Sequence, residues 1–156
     1  MVVRQATPED LQAVGDLWEL LIEQHRQLEP RFWESAPDGR EKCLEFVTAS
    51  LDADDRVLLV AEVEGRVVGF AHSMVADGPP PMRPRRIGHI TDLVVHAGCR
   101  RRGIGRALVG GVRQWLAEKG ADETRLSAAV ANPDAVAFWR ALGYEPITYG
   151  FWQPLC

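Results

Sequence analysis

The sequence predicts an α/β (α+β) domain in which about four helices flank one sheet of six to seven strands. Three observations carry this. Residues 90–95 form an apolar, strand-like run that breaks at Gly98, crosses a turn of arginine and glycine, and enters a helix with an apolar stripe. Two further apolar runs, 57–63 and 66–72, flank Glu64-Gly65, which reads as a β-hairpin. Two helices open on a capping side chain followed by proline, Thr7-Pro8 and Asn132-Pro133. At 156 residues the chain is one domain, 1–156, long enough for a single core.

In chain order, residues 2–5 read as a first strand. Thr7 caps a helix with Asp10 three residues on, close to a capping box, and Leu11, Val14, Trp18, Leu21, Ile22 and His25 then share one face to about residue 27. A second helix over 40–51 would bury Cys43, Phe46 and Val47, and the hairpin follows. Residues 77–86, DGPPPMRPRR, are too rich in proline for a central strand and read as a long loop. The strand over 85–95 would put His89, Thr91, Leu93 and Val95 on one face and Ile90, Asp92 and Val94 on the other, unless a bulge re-aims them. A helix from Ile104 to about 119 stops at Gly120, residues 124–130 give a fifth strand, and a helix capped by Asn132 runs to a glycine stop at Gly143. One or two strands within 144–152 complete the sheet.

Charge is unevenly spread along the chain. Its net value is −4, yet residues 83–106 hold seven arginines against the single acid Asp92, a local +6, which leaves −10 on the remainder. Such a zone suits a compact polyanion better than nucleic acid, which asks for a broad basic face. Residues 1–11 lack a signal-peptide core, and no apolar stretch approaches membrane-spanning length, so the expectation is a soluble cytoplasmic protein without a membrane partner. Cys43, Cys99 and Cys156 are odd in number and far apart, which argues against a disulfide framework and a zinc site; no metal is expected.

The turn at 100–106 is built for phosphate. The first N–H groups of a helix lack intrahelical partners and carry a partial positive charge, so an anion is favoured there. Gly103 and Gly105 permit close approach of oxygens, and Arg100, Arg101, Arg102 and Arg106 add cationic donors. A Walker A loop would need lysine and then serine or threonine after the last glycine, where this chain has Arg106 and Ala107. A Rossmann fingerprint would need a third glycine at Leu108 and a place near the first strand.

Arg100-Arg101-Arg102-Gly103-Ile104-Gly105 resembles the [Q/R]-x-x-G-x-[G/A] signature of the GNAT superfamily of acetyl-CoA-dependent N-acetyltransferases, and residues 90–95 resemble the strand that precedes it. Asn132, Ala135, Phe138, Trp139, Gly143 and Tyr144 resemble that family's N-x-x-A-x-x-[L/F]-Y-x-x-x-G-[F/Y] segment, in the right order and spacing. The resemblance implies a mixed, mostly antiparallel sheet whose fourth and fifth strands splay apart, with acetyl-CoA as co-substrate entering the gap. It implies coenzyme contacts from Leu93, Val94, Val95, Arg100, Arg101, Arg102, Gly103, Ile104, Gly105, Arg106, Asn132, Phe138 and Trp139, and an oxyanion donor in the Val95 N–H. It also implies an acceptor wall from the N-terminal helical region, where Trp18, His25, Arg31, Phe32 and Trp33 are candidates. The chain departs from the family at Ala97, Gly98 and Cys99, and at Trp139, which replaces a tyrosine that serves as general acid in many members. An indole N–H cannot supply that proton.

The expected reaction is direct transfer of acetyl from acetyl-CoA to a primary amine of a small molecule or peptide, through a tetrahedral intermediate. The amine must first lose a proton. His89 is the first candidate base by its ordinary titration range and its place on the strand, Asp92 is the second, and Glu62 lies in strand-forming sequence as a further one. Tyr144 and Tyr149 are substitutes for the missing acid. Cys99, beside three arginines, is a candidate for thiol chemistry or a passive replacement. Trp139 leaves open a non-catalytic acetyl-CoA or CoA sensor, and the arginines a nucleic-acid module. A homodimer is the default symmetric assembly.

Overall fold

The computed structural model describes residues 1–31, 33–83 and 85–155. Its sheet has five strands in chain order, β1 (Val2–Gln5), β2 (Arg56–Val63), β3 (Arg66–Asp77), β4 (Arg86–Val95) and β5 (Glu123–Arg125). The first four are antiparallel neighbours, and β5 joins β4 in parallel. Helices α1 (Leu11–Leu28) and α2 (Gly39–Thr48) cover one face, and α3 (Ile104–Glu118) and α4 (Pro133–Ala141) lie on the other.

Alternation along β2 explains the two-sided core. Val57, Leu59 and Ala61 turn to α3 and pack with Leu108, Val112 and Leu116, while Leu58 and Val60 turn to α1 and α2 and pack with Val14, Leu17 and Val47. Both faces are apolar because both are covered. The capping box at Thr7 is present: its N–H and Oγ each donate to Asp10 Oδ2, at 2.8 and 3.0 Å. Asp10 also takes Arg4, and that guanidinium holds its carboxyl down at about 2. Glu62 is the second partner of Arg4, at 2.9 Å, so its carboxylate is engaged in an ion pair.

Several expectations are corrected. The sheet has five strands among the described residues rather than six or seven, because β5 stops at Arg125 instead of reaching residue 130 and no strand forms within 144–152. Pro146 removes a ladder donor in that last segment, and Ile147, Tyr149 and Phe151 stay exposed. The second helix ends at Thr48, and Phe46 is exposed where it meets the edge of His72, ring centroids 5.0 Å apart; Val47 alone of the expected trio is fully buried. Strand β3 runs five residues past His72, to Asp77.

Two irregularities of β4 shape its edge and faces. His72 stands opposite Asp92 and Ser73 opposite Ile90, so Thr91 is a bulge with no partner of its own. The bulge shifts the expected alternation by one residue, so His89 moves to the face of Asp92 and Val94, and Ile90 to that of Leu93 and Val95. His89, Asp92 and Val94 share the α1–α2 face with Met74, His72 and Phe70, whereas Leu93 and Val95 face α3 with Ala71 and Gly69. The second irregularity is the short β5. It pairs only with Ile87, Gly88 and His89, so from Ile90 onward the outer edge of β4 has parted from it, which is the expected splay.

Candidate functional site

The parted edge of β4 is a row of backbone groups. His96 N–H donates to Val68 O of β3 at 2.8 Å. Strand amides alternate between edges, so the N–H groups of Leu93 and Val95 point the other way, into the gap. Arg100 Nε donates to Val95 O at 3.0 Å from that side, and its Nη2 reaches Gln24 Oε1 of α1 at 2.8 Å. The Arg100 side chain therefore ties the end of β4 to α1 and is not a free cation for phosphate.

The remaining turn keeps the features read from sequence. Arg101 and Gly103 both take positive φ, 63° and 80°, and Gly103 stands at the N-cap of α3 without any side-chain cap. The first helical bond there is Ala107 N–H to Gly103 O, which leaves the preceding amides directed outward. Arg101, Arg102 and Arg106 are exposed and form no ion pair among the described residues. Gly105 has a packing reason as well: a Cβ there would meet the Phe138 ring at 3.3 Å. Ile104 is buried beneath the turn.

Beside this turn, Asn132 Oδ1 accepts from Ala135 N–H at 3.1 Å and caps α4, as expected. Trp139 lies in the core under α3, edge-on to Phe138 and to Tyr144. The Tyr144 hydroxyl is buried without a hydrogen bond; Thr124 is near it but outside bonding geometry, and burial raises the phenol above its ordinary value. An uncapped helix start, three free arginines and an open strand edge together fit a phosphate-bearing coenzyme. Tyr149 is exposed, and Cys99 packs half-buried against the α3 core.

On the opposite face a cavity of about 360 Å³ opens between α1, residues 33–36 and α2. Trp18, Ile22, Trp33, Cys43 and Phe46 make its apolar wall, Glu34 and Lys42 stand at it, and Asp92 lines it from β4. Burial raises the Asp92 carboxyl above its ordinary range, against smaller opposing effects of the Thr91 hydroxyl and His25. Burial beside the Asp92 charge likewise pushes the Cys43 thiol up to about 12. Asp92 forms no salt bridge among the described residues, despite the many arginines nearby in sequence.

Of the other expected wall residues, His25 meets Trp33 in a tilted ring contact, centroids 4.4 Å apart, and Arg31 is exposed, pairing with Glu29 and lying over Trp152. Phe32 lies outside the described residues. His89 shares the Asp92 face but sits beyond the cavity, across from Met74 and in register with Arg125 of β5. The 77–86 loop leaves Arg85 paired with Glu123, away from the helix-start turn.

One group was missed from sequence. His72 is fully buried and stands in a line of hydrogen bonds with Ser50, Thr91 and Asp92. A lone histidine in an apolar strand carries no mark of this, since the line depends on the bulge at Thr91 that brings its hydroxyl to the His72 ring. Among the described residues no group of three metal-ligating side chains converges, and no helix is long and apolar enough to cross a membrane.

Known proteins resemble this chain in sequence and in fold. The sequence profile of the Acetyltransferase (GNAT) family matches residues 16–144. An aminoglycoside N(6')-acetyltransferase type 1 of Stenotrophomonas maltophilia is 32% identical over 145 residues, 92% of this chain and 85% of that protein. An uncharacterized N-acetyltransferase of Bacillus subtilis is 28% identical over 148 residues, covering 95% and 92%. Among solved structures, a mutant of the BH1408 protein of Bacillus halodurans superposes with a TM-score of 0.89 at 24% identity over the whole of both chains. An aminoglycoside N-acetyltransferase in complex with CoA superposes at 0.74 and 22% identity, over 99% of this chain and 95% of that one, a likeness of fold.

Proposed function

We propose that this chain, which belongs to the acetyltransferase (GNAT) family, carries the acetyl group of acetyl-CoA to a primary amine of a small cationic molecule by direct attack. The observation that carries the reading is the position of Asp92. Its carboxylate lines the cavity on one face of β4, and the next residues along the same strand, Leu93 and Val95, turn their N–H groups into the gap beside the α3 turn. Acceptor and donor chemistry thus meet across a single strand.

The residues divide the work as follows. Arg101, Arg102, Arg106 and the outward amides at the start of α3 hold the coenzyme's phosphates. The ammonium group of the acceptor enters between Trp18 and Trp33, drawn by Glu34 and Asp92. Asp92 takes the first amine proton, a task for which its raised basicity suits it. The freed amine attacks the thioester carbonyl, and the Val95 N–H stabilises the developing oxyanion. The nitrogen's second proton leaves with the thiolate, giving free thiol, and Asp92 returns its own proton to water. A thiol ionises at about 8.5, so it departs without a strong acid, which relieves Trp139 of the role that tyrosine has in many members. Tyr144, with its free buried hydroxyl, is the candidate for any assisted protonation.

Asp92 takes precedence over His89 as base because it lines the cavity and His89 does not. A small polyamine or amino sugar is the acceptor class we favour, from two acidic groups against aromatic walls and from the 32% identical aminoglycoside acetyltransferase. The test is release of free thiol from acetyl-CoA across a panel of polyamines, amino sugars and short peptides. Turnover with cationic small amines is expected. Uptake of acetyl-CoA without turnover of any amine would instead point to a sensor.

A further inference from the structure

The line of polar groups behind Asp92 has a direction, and one hydroxyl proton decides it. Ser50 Oγ lies 2.8 Å from His72 Nε2, His72 Nδ1 lies 2.6 Å from Thr91 Oγ, and Thr91 Oγ lies 2.9 Å from Asp92 Oδ2. Thr91 has a single proton and three acceptors within reach: the ring nitrogen, the Asp92 carboxylate and, more distant at 3.3 Å, the His72 main-chain oxygen. If His72 carried its proton on Nε2, Thr91 would donate to Nδ1 and turn a lone pair toward an ionised Asp92. If His72 carries it on Nδ1, Thr91 accepts from the ring and donates to Oδ2, which is nearer than the His72 main-chain oxygen and, when ionised, the stronger acceptor. Only the second arrangement satisfies every group while Asp92 is ionised, and it lets Ser50 donate to Nε2.

We propose that His72 is a positioning residue for Asp92: held as the Nδ1–H tautomer by Ser50, it directs the Thr91 proton onto Oδ2 and leaves Oδ1 as the atom that takes the acceptor's proton. Oδ1 makes no hydrogen bond among the described residues, and Asp92 lines the cavity. His72 is enclosed between β3, Phe46 and Ser50 and stays neutral, so it neither gains nor loses a proton during turnover. The proton taken from the ammonium sits on Oδ1 alone, while those of Thr91 and His72 stay where they are. This inference rests on the reading of Asp92 as base, and it adds Ser50, His72 and Thr91 to the machinery.

Other charges face these groups and bear on any pH profile. Asp92 is met by His25 from α1, Glu34 from residues 33–36, and Lys42 and Cys43 from α2; His72 feels Arg56 from β2. None of them changes on replacing Thr91.

The experiment combines a spectrum with a pH profile on the full chain. In wild-type protein labelled with 15N in its histidines, His72 is expected to carry its proton on Nδ1 at neutral pH; an Nε2–H ring overturns the proposal. Thr91→Val removes the donated bond at nearly constant shape, so the 13C titration of the Asp92 carboxyl and the acid limb of kcat/KM should both move up by about one pH unit. Thr91→Ser should restore both, and Ser50→Ala should shift them in the same direction as Thr91→Val while mixing the tautomers. A Thr91→Val protein with an unmoved Asp92 titration overturns the proposal. Asp92→Asn separates the two layers. If the acid limb persists in it, the base reading falls, while the wild-type ring spectrum and the carboxyl titration still decide the positioning.

Discussion

A buried histidine leaves a thermodynamic trace. Burial holds His72 at about 4, below the ordinary histidine value of 6.5, with Arg56 adding to the effect. As pH falls between those values the unfolded chain takes up a proton that the folded one refuses, so the stability is whole above the upper value and drains away toward the lower. The loss is about 3 kcal/mol across the window. His72→Gln should therefore flatten the dependence of denaturant midpoint on pH between 6.5 and 4, and an unchanged slope would mean that the ring is not sealed as described. Single residues differed in how far sequence could reveal them. The Thr7 and Asp10 cap and the Asn132 cap were legible because both rest on neighbours within a few positions. His72 was not, since its burial needs α2 and its bonding needs the bulge, neither of which is written near position 72.

At the level of elements, β4 is where local pattern and tertiary pairing part company. Hydrophobic alternation identified the strand and nearly its ends, but the side-chain faces depended on one extra residue, Thr91, which only the pairing with β3 reveals. The last strands failed for the opposite reason: residues 144–152 carry apolar side chains, yet Pro146 and Gly150 interrupt them. The splay itself was legible only through family resemblance, because it is the absence of pairing beyond His89. Two glycines, one beside the end of β4 and one at the start of α3, are needed for different reasons. A Cβ on Gly69 would stand 2.7 Å from Val94 O, a backbone atom that cannot move aside, so Gly69→Ala should destabilise the fold by about 3 kcal/mol in urea unfolding. Gly103 takes a φ of 80° in open space, so Gly103→Ala should cost only about 1 kcal/mol, through backbone strain alone. Equal losses for the two variants would contradict this distinction.

Across the whole molecule, charge is sorted in a way that the chain order already disclosed. The +6 zone at 83–106 feeds the α3 turn, while the rest of the protein carries −10. Folding then thins that zone, because Arg85 goes to Glu123 and Arg100 to Gln24 and the β4 carbonyl. Acetyl-CoA affinity should accordingly weaken with added salt, and neutralising Arg101, Arg102 and Arg106 together should weaken it about tenfold or more and remove most of that salt dependence. Titration calorimetry at two ionic strengths would read both, and a triple variant with wild-type affinity would put the phosphates elsewhere. On the proposed reading the sheet divides the labour, with cationic turn and open edge toward one side and acidic, aromatic cavity toward the other, joined through β4. Steady-state release of thiol by Asp92→Asn against wild type, at saturating acetyl-CoA with an amine that the wild type turns over, tests that union most directly. The variant should bind acetyl-CoA normally yet release thiol about 100-fold more slowly; release at the wild-type rate would contradict the account.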